Sequence, residues 1–271
     1  MQSVLSIAGS DPTGGAGLQA DLQVFHAHGV HGAAVPTALT IQDGLRIGRV
    51  LPVFPSVLLE QLRATLDVLR PNAIKIGMLA TDDIVRNVLL SLARFPEIPV
   101  VIDPILAASD GSALLEKRAY PALRDLIQGR RILTPNWPEA EILVDASLPR
   151  RKDGEAAARE LLLDLNLDAV LLKGGHLEGD CDDLLVYRKS ADSSSDSSNN
   201  DAEIVCEWLP GKRLPGPPVH GTGCALSAAI AAGLAQGQSI PDAVVQARRF
   251  VRRAIENAQT LGNGARILAF Q

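Results

Sequence analysis

Ala8-Gly9-Ser10-Asp11-Pro12-Thr13-Gly14-Gly15-Ala16-Gly17-Leu18-Gln19-Ala20-Asp21 follows the apolar run Val4-Leu5-Ser6-Ile7, and this junction decides the fold. Val4 to Ala8 reads as a buried strand. Leu18, Leu22 and Phe25, at i, i+4 and i+7, give the next segment the apolar stripe of a helix that Gly29 ends. Between them lie four glycines in the nine residues Gly9 to Gly17. A strand passing through such a turn straight into a helix opens a βαβ unit. Glycine lets the backbone approach a ligand closely, and a helix start offers N–H groups that the helix does not use. The turn has neither the Lys-Ser/Thr ending of a P-loop nor a regular Gly-x-Gly-x-x-Gly spacing, so by itself it reads equally as a tight βα connection or a binding loop.

The alternation continues outward. Ala33 to Thr37 is a second strand, and Pro55 opens a helix carrying Leu58, Leu59, Leu62, Leu66 and Leu69, which stops at Arg70-Pro71 because proline disfavours a helical residue before it. Strand Ala73 to Ile76 and a helix opened by Thr81-Asp82-Asp83 come next, with acidic residues at the positive end of the dipole. Pro99 to Asp103 is a strand ending in a carboxylate. Further helices are expected over 114–127, 138–144 and 155–165, and further strands over 131–133 and 169–172. Leu184 to Tyr187 and Ile204 to Trp208 read as the arms of a hairpin whose Ser/Asp/Asn-rich tip, 190–201, is too polar to repay its ordering and is expected to be mobile. Two helices, 223–235 and 240–259, close the chain. The expectation is an α/β fold with a mostly parallel central sheet flanked by helices on both faces, in a single domain over 1–271.

Composition narrows the function classes. With 46% hydrophobic and 21% charged residues the 271-residue chain is an ordinary globular protein rather than a disordered or coiled-coil one. A net charge of −5 argues against a nucleic-acid partner, which selects for a basic face, and five Phe, two Trp and two Tyr leave little to stack on single strands. The opening residues lack a basic n-region and reach Asp11 before a signal-length apolar run forms, so no secretion is expected. The most apolar helix candidate, Ala225 to Ala235, is shorter than the ~20 residues a bilayer demands, so no membrane partner is expected. Cys181, Cys206 and Cys224 form no CxxC pair, which fits a cytoplasmic location without disulfides or structural zinc. His26, His28 and His31 do not converge on one helical face and are not expected to hold a metal.

In an open parallel sheet ligands bind beyond the carboxyl ends of the strands, and there the polar residues gather. Pro217-Pro218-Val219-His220-Gly221-Thr222-Gly223-Cys224 runs into an Ala-rich helix. Glycines at a helix start expose N–H groups to an anion, and Cys224 lies at the positive end, where thiol pKa values usually fall. Asp103-Pro104, Thr134-Pro135-Asn136-Trp137-Pro138-Glu139 and Lys173-Gly174-Gly175-His176 each follow a strand. Their acids suit Mg²⁺ and their Lys suits phosphate, although any one of them alone reads as a helix cap or a solvated side chain. Asp21 by spacing is a solvated helix residue.

Taken with Thr37-Ala38-Leu39-Thr40-Ile41-Gln42 and Lys75-Ile76-Gly77-Met78-Leu79, these motifs resemble, in order and over nearly the whole chain, the hydroxymethylpyrimidine/phosphomethylpyrimidine kinases of thiamine biosynthesis, members of the ribokinase-like superfamily. The resemblance implies an ATP- and Mg²⁺-dependent kinase that phosphorylates 4-amino-5-hydroxymethyl-2-methylpyrimidine and then its monophosphate, and a homodimer. Carried over motif by motif, it implies that Gly9, Asp21 and Gln42 contact the pyrimidine, with Met78 against the ring. It implies that Lys173 and Asn136 bind ATP, and that Glu139 and Asp103 organise the metal. The turn Gly221-Thr222-Gly223 would form an anion hole, with Cys224 in the place of an Asp general base. The chain departs from the pattern where Ala107-Ala108-Ser109-Asp110-Gly111 has no lysine, where Pro218-Val219 precedes His220, and in the Ser/Asp tract. These departures bear on the second phosphorylation more than on the first. A pyridoxal (vitamin B6) kinase and a pyrimidine-phosphate sensor without turnover are the competing readings; Gln42 and Met78 argue against the former, the intact anion turn against the latter.

Overall fold

The computed structural model of the chain describes residues 1–108, 111–177, 179–189 and 203–270. The expected hairpin tip 190–201 lies outside the described residues, as do Ser109 and Asp110. In chain order the elements are β1 (Ser3–Ser10), α1 (Gly17–Ala27), β2 (His31–Gln42), β3 (Ile47–Pro52), α2 (Pro55–Leu69), β4 (Ala73–Ile76), α3 (Asp82–Leu92), β5 (Val100–Ile102) and α4 (Tyr120–Ile127). They continue with β6 (Ile132–Leu133), α5 (Trp137–Val144), α6 (Arg151–Asp164), β7 (Ala169–Leu172), β8 (Asp183–Arg188) and β9 (Ile204–Leu209). The last are α7 (Thr222–Ala235), α8 (Ile240–Glu256), β10 (Gln259–Thr260) and β11 (Arg266–Ile267). These fall into two compact units, Met1–Ile127 with Leu214–Gln271, and Gln128–Arg213, a subdivision that the single-domain expectation does not make.

In the first unit the strands run in the order β3-β2-β1-β4-β5. β1 pairs in parallel with β2 and β4, and β4 with β5, while β3 returns antiparallel to β2. All of β1 except Ser10 is buried, so both faces of its sheet are covered. One helical group, α1 and α7 with α8 behind them, packs on the strands, and α2, α3 and α4 pack in series as another. α7 is apolar on every side and buried from Ala225 to Ala235, as a helix inside a protein must be.

Three regions of this unit differ from expectation. β2 runs on to Gln42 and β3 follows it, because Asp43 Oδ1 accepts the N–H groups of Leu45 and Arg46 and Gly44 takes a positive φ, closing a hairpin. The helix expected from Leu114 begins at Tyr120. Leu114 and Leu115 give their N–H groups to the Leu106 carbonyl, and Glu116 gives its own to that of Ala80. β10 and β11 form a short antiparallel pair that carries the chain back to His220.

The second unit has the order β6-β7-β8-β9, with β6 and β7 parallel and β7, β8 and β9 an antiparallel meander. α6 starts at Arg151, earlier than expected, since the Asp153 carboxylate in its first turn accepts both the Arg150 N–H and the Arg150 guanidinium and so fixes the residue before the helix. Among the described residues no helix is long and apolar enough to cross a membrane.

Candidate active site

In the first unit the two glycine-rich segments meet. Gly221, at the N-cap of α7, has φ +84°, and a Cβ placed there would stand 1.8 Å from the Gly15 carbonyl oxygen. Only glycine has this left-handed conformation without strain and also leaves room for that carbonyl. Among the described residues no side chain caps α7, so the first-turn amides of this helix keep the donor capacity that a helix start offers. Across the same junction His220 Nε2 lies 3.0 Å from Asp11 Oδ2.

Beneath this turn is a charged cluster cut off from water. Lys75, in the otherwise apolar strand β4, is fully buried, and its Nζ lies 2.8 Å from Asp21 Oδ2 and 3.1 Å from Oδ1. Ser6 Oγ donates to the same carboxylate. Burial opposes the Lys75 charge, yet the facing groups, Asp21 foremost with Cys224 and Asp103, outweigh it and hold the ammonium above its ordinary pKa. Asp103, just past β5, is buried as well, and Ser227, one turn along α7 from Cys224, reaches toward it. These placements change two expectations. Asp21 is neither solvated nor able to touch a ring, since it exposes no surface; it holds Lys75. The Cys224 thiol is pushed up from its ordinary pKa rather than down: burial raises it, Asp103 and Asp21 raise it further, and Lys75 and the Gly17 N–H only partly offset them.

Above β1 and β2, a Cβ on Gly9 would come within 2.4 Å of Met78 Cε, so the missing side chain is what lets Met78 lie there. Met78 belongs to an apolar cluster with Ala38, Ala80 and Leu114, and the Thr37 hydroxyl donates to its carbonyl. Gln42, at the carboxyl end of β2, donates from Nε2 to Thr40 Oγ1 and is half-buried.

In the second unit Asn136 and Glu139 form a capping box at the start of α5. Asn136 Oδ1 accepts the Glu139 N–H, and Glu139 Oε2 accepts the Asn136 N–H at 2.7 Å. Lys173 sits beside them at the end of β7. Its N–H donates to the Pro135 carbonyl and its Nζ lies 3.9 Å from Glu139 Oε2. The structure therefore brings Asn136, Glu139 and Lys173 together, and brings Gly221, Thr222, Gly223, Cys224 and Asp103 together with the Lys75–Asp21 pair. Among the described residues no three His, Cys, Asp or Glu side chains gather as a metal cage, and the histidine run makes none. Magnesium held chiefly by phosphates and water needs only one or two carboxylates, and the first unit offers Asp103 and the second Glu139. Lys75, Asp11 and His220 were not singled out from the sequence. For Lys75 the signal was there, a lysine inside the strand Ala73-Ile74-Lys75-Ile76; for the other two no local pattern exists.

The phosphomethylpyrimidine kinase family model matches residues 11–269. The chain belongs to this family. A hydroxymethylpyrimidine/phosphomethylpyrimidine kinase of Synechococcus elongatus is 37% identical over 261 residues, covering 96% of this chain and 94% of its own. Among solved structures, the family's phosphomethylpyrimidine kinase from Clostridium difficile superposes with a TM-score of 0.79 at 32% identity, over 94% of this chain and all of its own. A Bacillus subtilis pyridoxal kinase, solved as an ADP complex, superposes with a TM-score of 0.85 at 28% identity, over all of this chain and 97% of its own.

Proposed function

We propose that this protein is an ATP-dependent cytoplasmic kinase that phosphorylates the hydroxymethyl group of 4-amino-5-hydroxymethyl-2-methylpyrimidine and then the resulting monophosphate. The observation that carries the reading is the meeting of loop Asp11–Gly17 with the uncapped start of α7, in a chain of this family. In the reaction the hydroxymethyl oxygen bonds to the γ-phosphorus of ATP, the bond from that phosphorus to the β–γ bridging oxygen breaks, and the hydroxyl proton must leave. The amides at Gly221, Thr222 and Gly223 receive the charge that spreads over the transferring oxygens. Met78, seated where Gly9 lacks a side chain, and its apolar neighbours form a wall for a flat ring. Gln42, with one amide hydrogen on Thr40, keeps its carbonyl and second hydrogen for an aminopyrimidine edge. Lys173 and Asn136 serve the nucleotide. Asp103 in the first unit and Glu139 in the second are each a carboxylate of the kind that would hold Mg²⁺ through water, the metal supplying charge neutralisation between phosphates.

Cys224 is the proton acceptor in this reading. Because its pKa is raised, the thiolate is a minor form at neutral pH and grows as pH increases. The parent enzyme is therefore expected to give pyrimidine diphosphate by mass spectrometry, with kcat rising from pH 7 toward 9. Cys224→Ala should lower kcat by about 10²-fold and flatten that rise. Pyridoxal phosphate as the sole product would replace the substrate, in line with the superposition on pyridoxal kinases. An unchanged rate in Cys224→Ala would remove the thiol from the mechanism.

We also propose a homodimer. Leu39 and Ile41 on β2 and Leu51, paired with Leu39 across the hairpin, expose one apolar face, with Phe54 79% exposed beside it. Sedimentation should give twice the chain mass, and Leu39→Glu with Leu51→Glu should give the monomer; a monomeric parent would end this part of the proposal.

A further inference from the structure

One side-chain bond joins residues far apart in the chain at the heart of the site, and the reaction as written gives neither partner a task. Asp11 is almost fully buried and accepts four hydrogen bonds. Oδ1 takes the Thr13 N–H at 2.9 Å and the Thr13 hydroxyl at 2.8 Å; Oδ2 takes the Ala16 N–H at 2.9 Å and His220 Nε2 at 3.0 Å. Burial alone would raise its pKa, but the bonds from His220 and Thr13 outweigh that and hold it below the ordinary carboxylate value. An ionised carboxylate only accepts, so His220 must carry a hydrogen on Nε2, as the matching neutral tautomer and the imidazolium both do. The His220 main chain is pinned too, its N–H donating to the Arg266 carbonyl at 2.8 Å. The ring packs on the loop: a Cβ at Gly15 would stand 2.8 Å from His220 Cδ2.

His220 is thus a strut between the loop that follows β1 and the turn whose next residues are Gly221, Thr222 and Gly223. We infer that His220 is a positioning residue for phosphoryl transfer: through Asp11 it sets the direction in which the 221–223 amides point. The inference rests on the kinase reading above. Donors preorganised for developing charge lose effect when misaimed by a fraction of an ångström, while ground-state binding depends on them less, so the loss belongs in kcat.

The test compares parent, His220→Ala, His220→Gln, Asp11→Asn and the Asp11→Asn/His220→Ala double variant, with kcat, both KM values and Tm measured on the full chain. His220→Ala should lower kcat ~30-fold with both KM values nearly unchanged, within the ~10²-fold that a small misplacement can cost. Glutamine, whose amide N–H can reach Asp11, should restore most of the rate. The double variant should be no slower than the worse single one, as expected of two residues acting through one bond. Parental kcat in His220→Ala would overturn the inference, as would an equal loss in the alanine and glutamine variants that follows a fall in Tm, or additive losses in the double variant. A parent without turnover on either substrate would remove the kinase reading and the inference with it; an active parent beside a fully active His220→Ala removes the inference alone.

Discussion

Gly221→Ala lowers kcat by about 10²- to 10³-fold, the cost of losing one donor to a transition-state oxyanion. Two physical effects act together. At φ +84° an alanine is strained by roughly 1–2 kcal/mol. Beyond that, its Cβ would meet the Gly15 carbonyl oxygen at 1.8 Å and the Gly15 carbonyl carbon at 2.8 Å, both main-chain atoms that cannot swing aside. Relief comes only if the turn and loop 11–17 separate, and separation rotates the first amides of α7. Gly237→Ala is the control. Gly237 follows the other end of the same helix at φ +81°, with nothing within 4 Å of an added Cβ, so it carries the strain without the collision. It should lose about 1 kcal/mol in urea unfolding and keep its rate. Gly221→Ala retaining kcat within tenfold of the parent, or Gly237→Ala losing as much rate, would show that the aim of this turn is not what the chemistry uses.

The parts of the molecule that could be read from the sequence are those encoded locally. β1, the glycine turn and α1 follow from an apolar run, φ-permissive residues and i, i+4, i+7 spacing. Asp21 shows where this fails. It lies between Leu18 and Phe25 on the buried stripe, while Leu22, assigned to that stripe, is 36% exposed. Solvation is the default for an aspartate at such a position, and the partner that lets this one be buried is supplied from another strand. β3 was missed although Asp43-Gly44 is a hairpin signal, because Ile47–Pro52 is largely exposed and shows no alternation of buried and exposed residues. The reversed Cys224 shift has the same origin as Asp21. A helix start lowers a thiol pKa, but here the Asp21 and Asp103 carboxylates and burial, contributed by distant segments, act on the same sulfur. His220 and Asp11 lie at opposite ends of the chain, and only the fold puts their atoms in contact.

Lys75→Met is expected to destabilise the protein by about 3–5 kcal/mol in urea unfolding, because it strands a buried carboxylate. Asp21 would keep only the Ser6 hydroxyl as a side-chain partner among the described residues, in a site with no exposed surface. The ion pair itself gives little net stability, since desolvating two charges costs about what their attraction returns; what costs most is removing one member. The double variant Lys75→Met/Asp21→Asn should therefore recover at least half of the loss, because the introduced amide is uncharged and its carbonyl can still accept from Ser6, with a coupling of more than about 1.5 kcal/mol in the cycle. Turnover should not recover with stability. Lys75 is the cation that lowers the Cys224 pKa, so its removal leaves burial and Asp103 opposed only by the Gly17 N–H and shifts the alkaline rise of kcat to still higher pH. A single variant within ~1 kcal/mol of the parent, or a double no more stable than the single, would refute the buried-pair account. A double variant that regains both stability and the parental pH profile would show that Lys75 serves the fold alone. The expected split, stability regained and rate not, is what a charge kept under an active site for chemistry rather than for folding should produce.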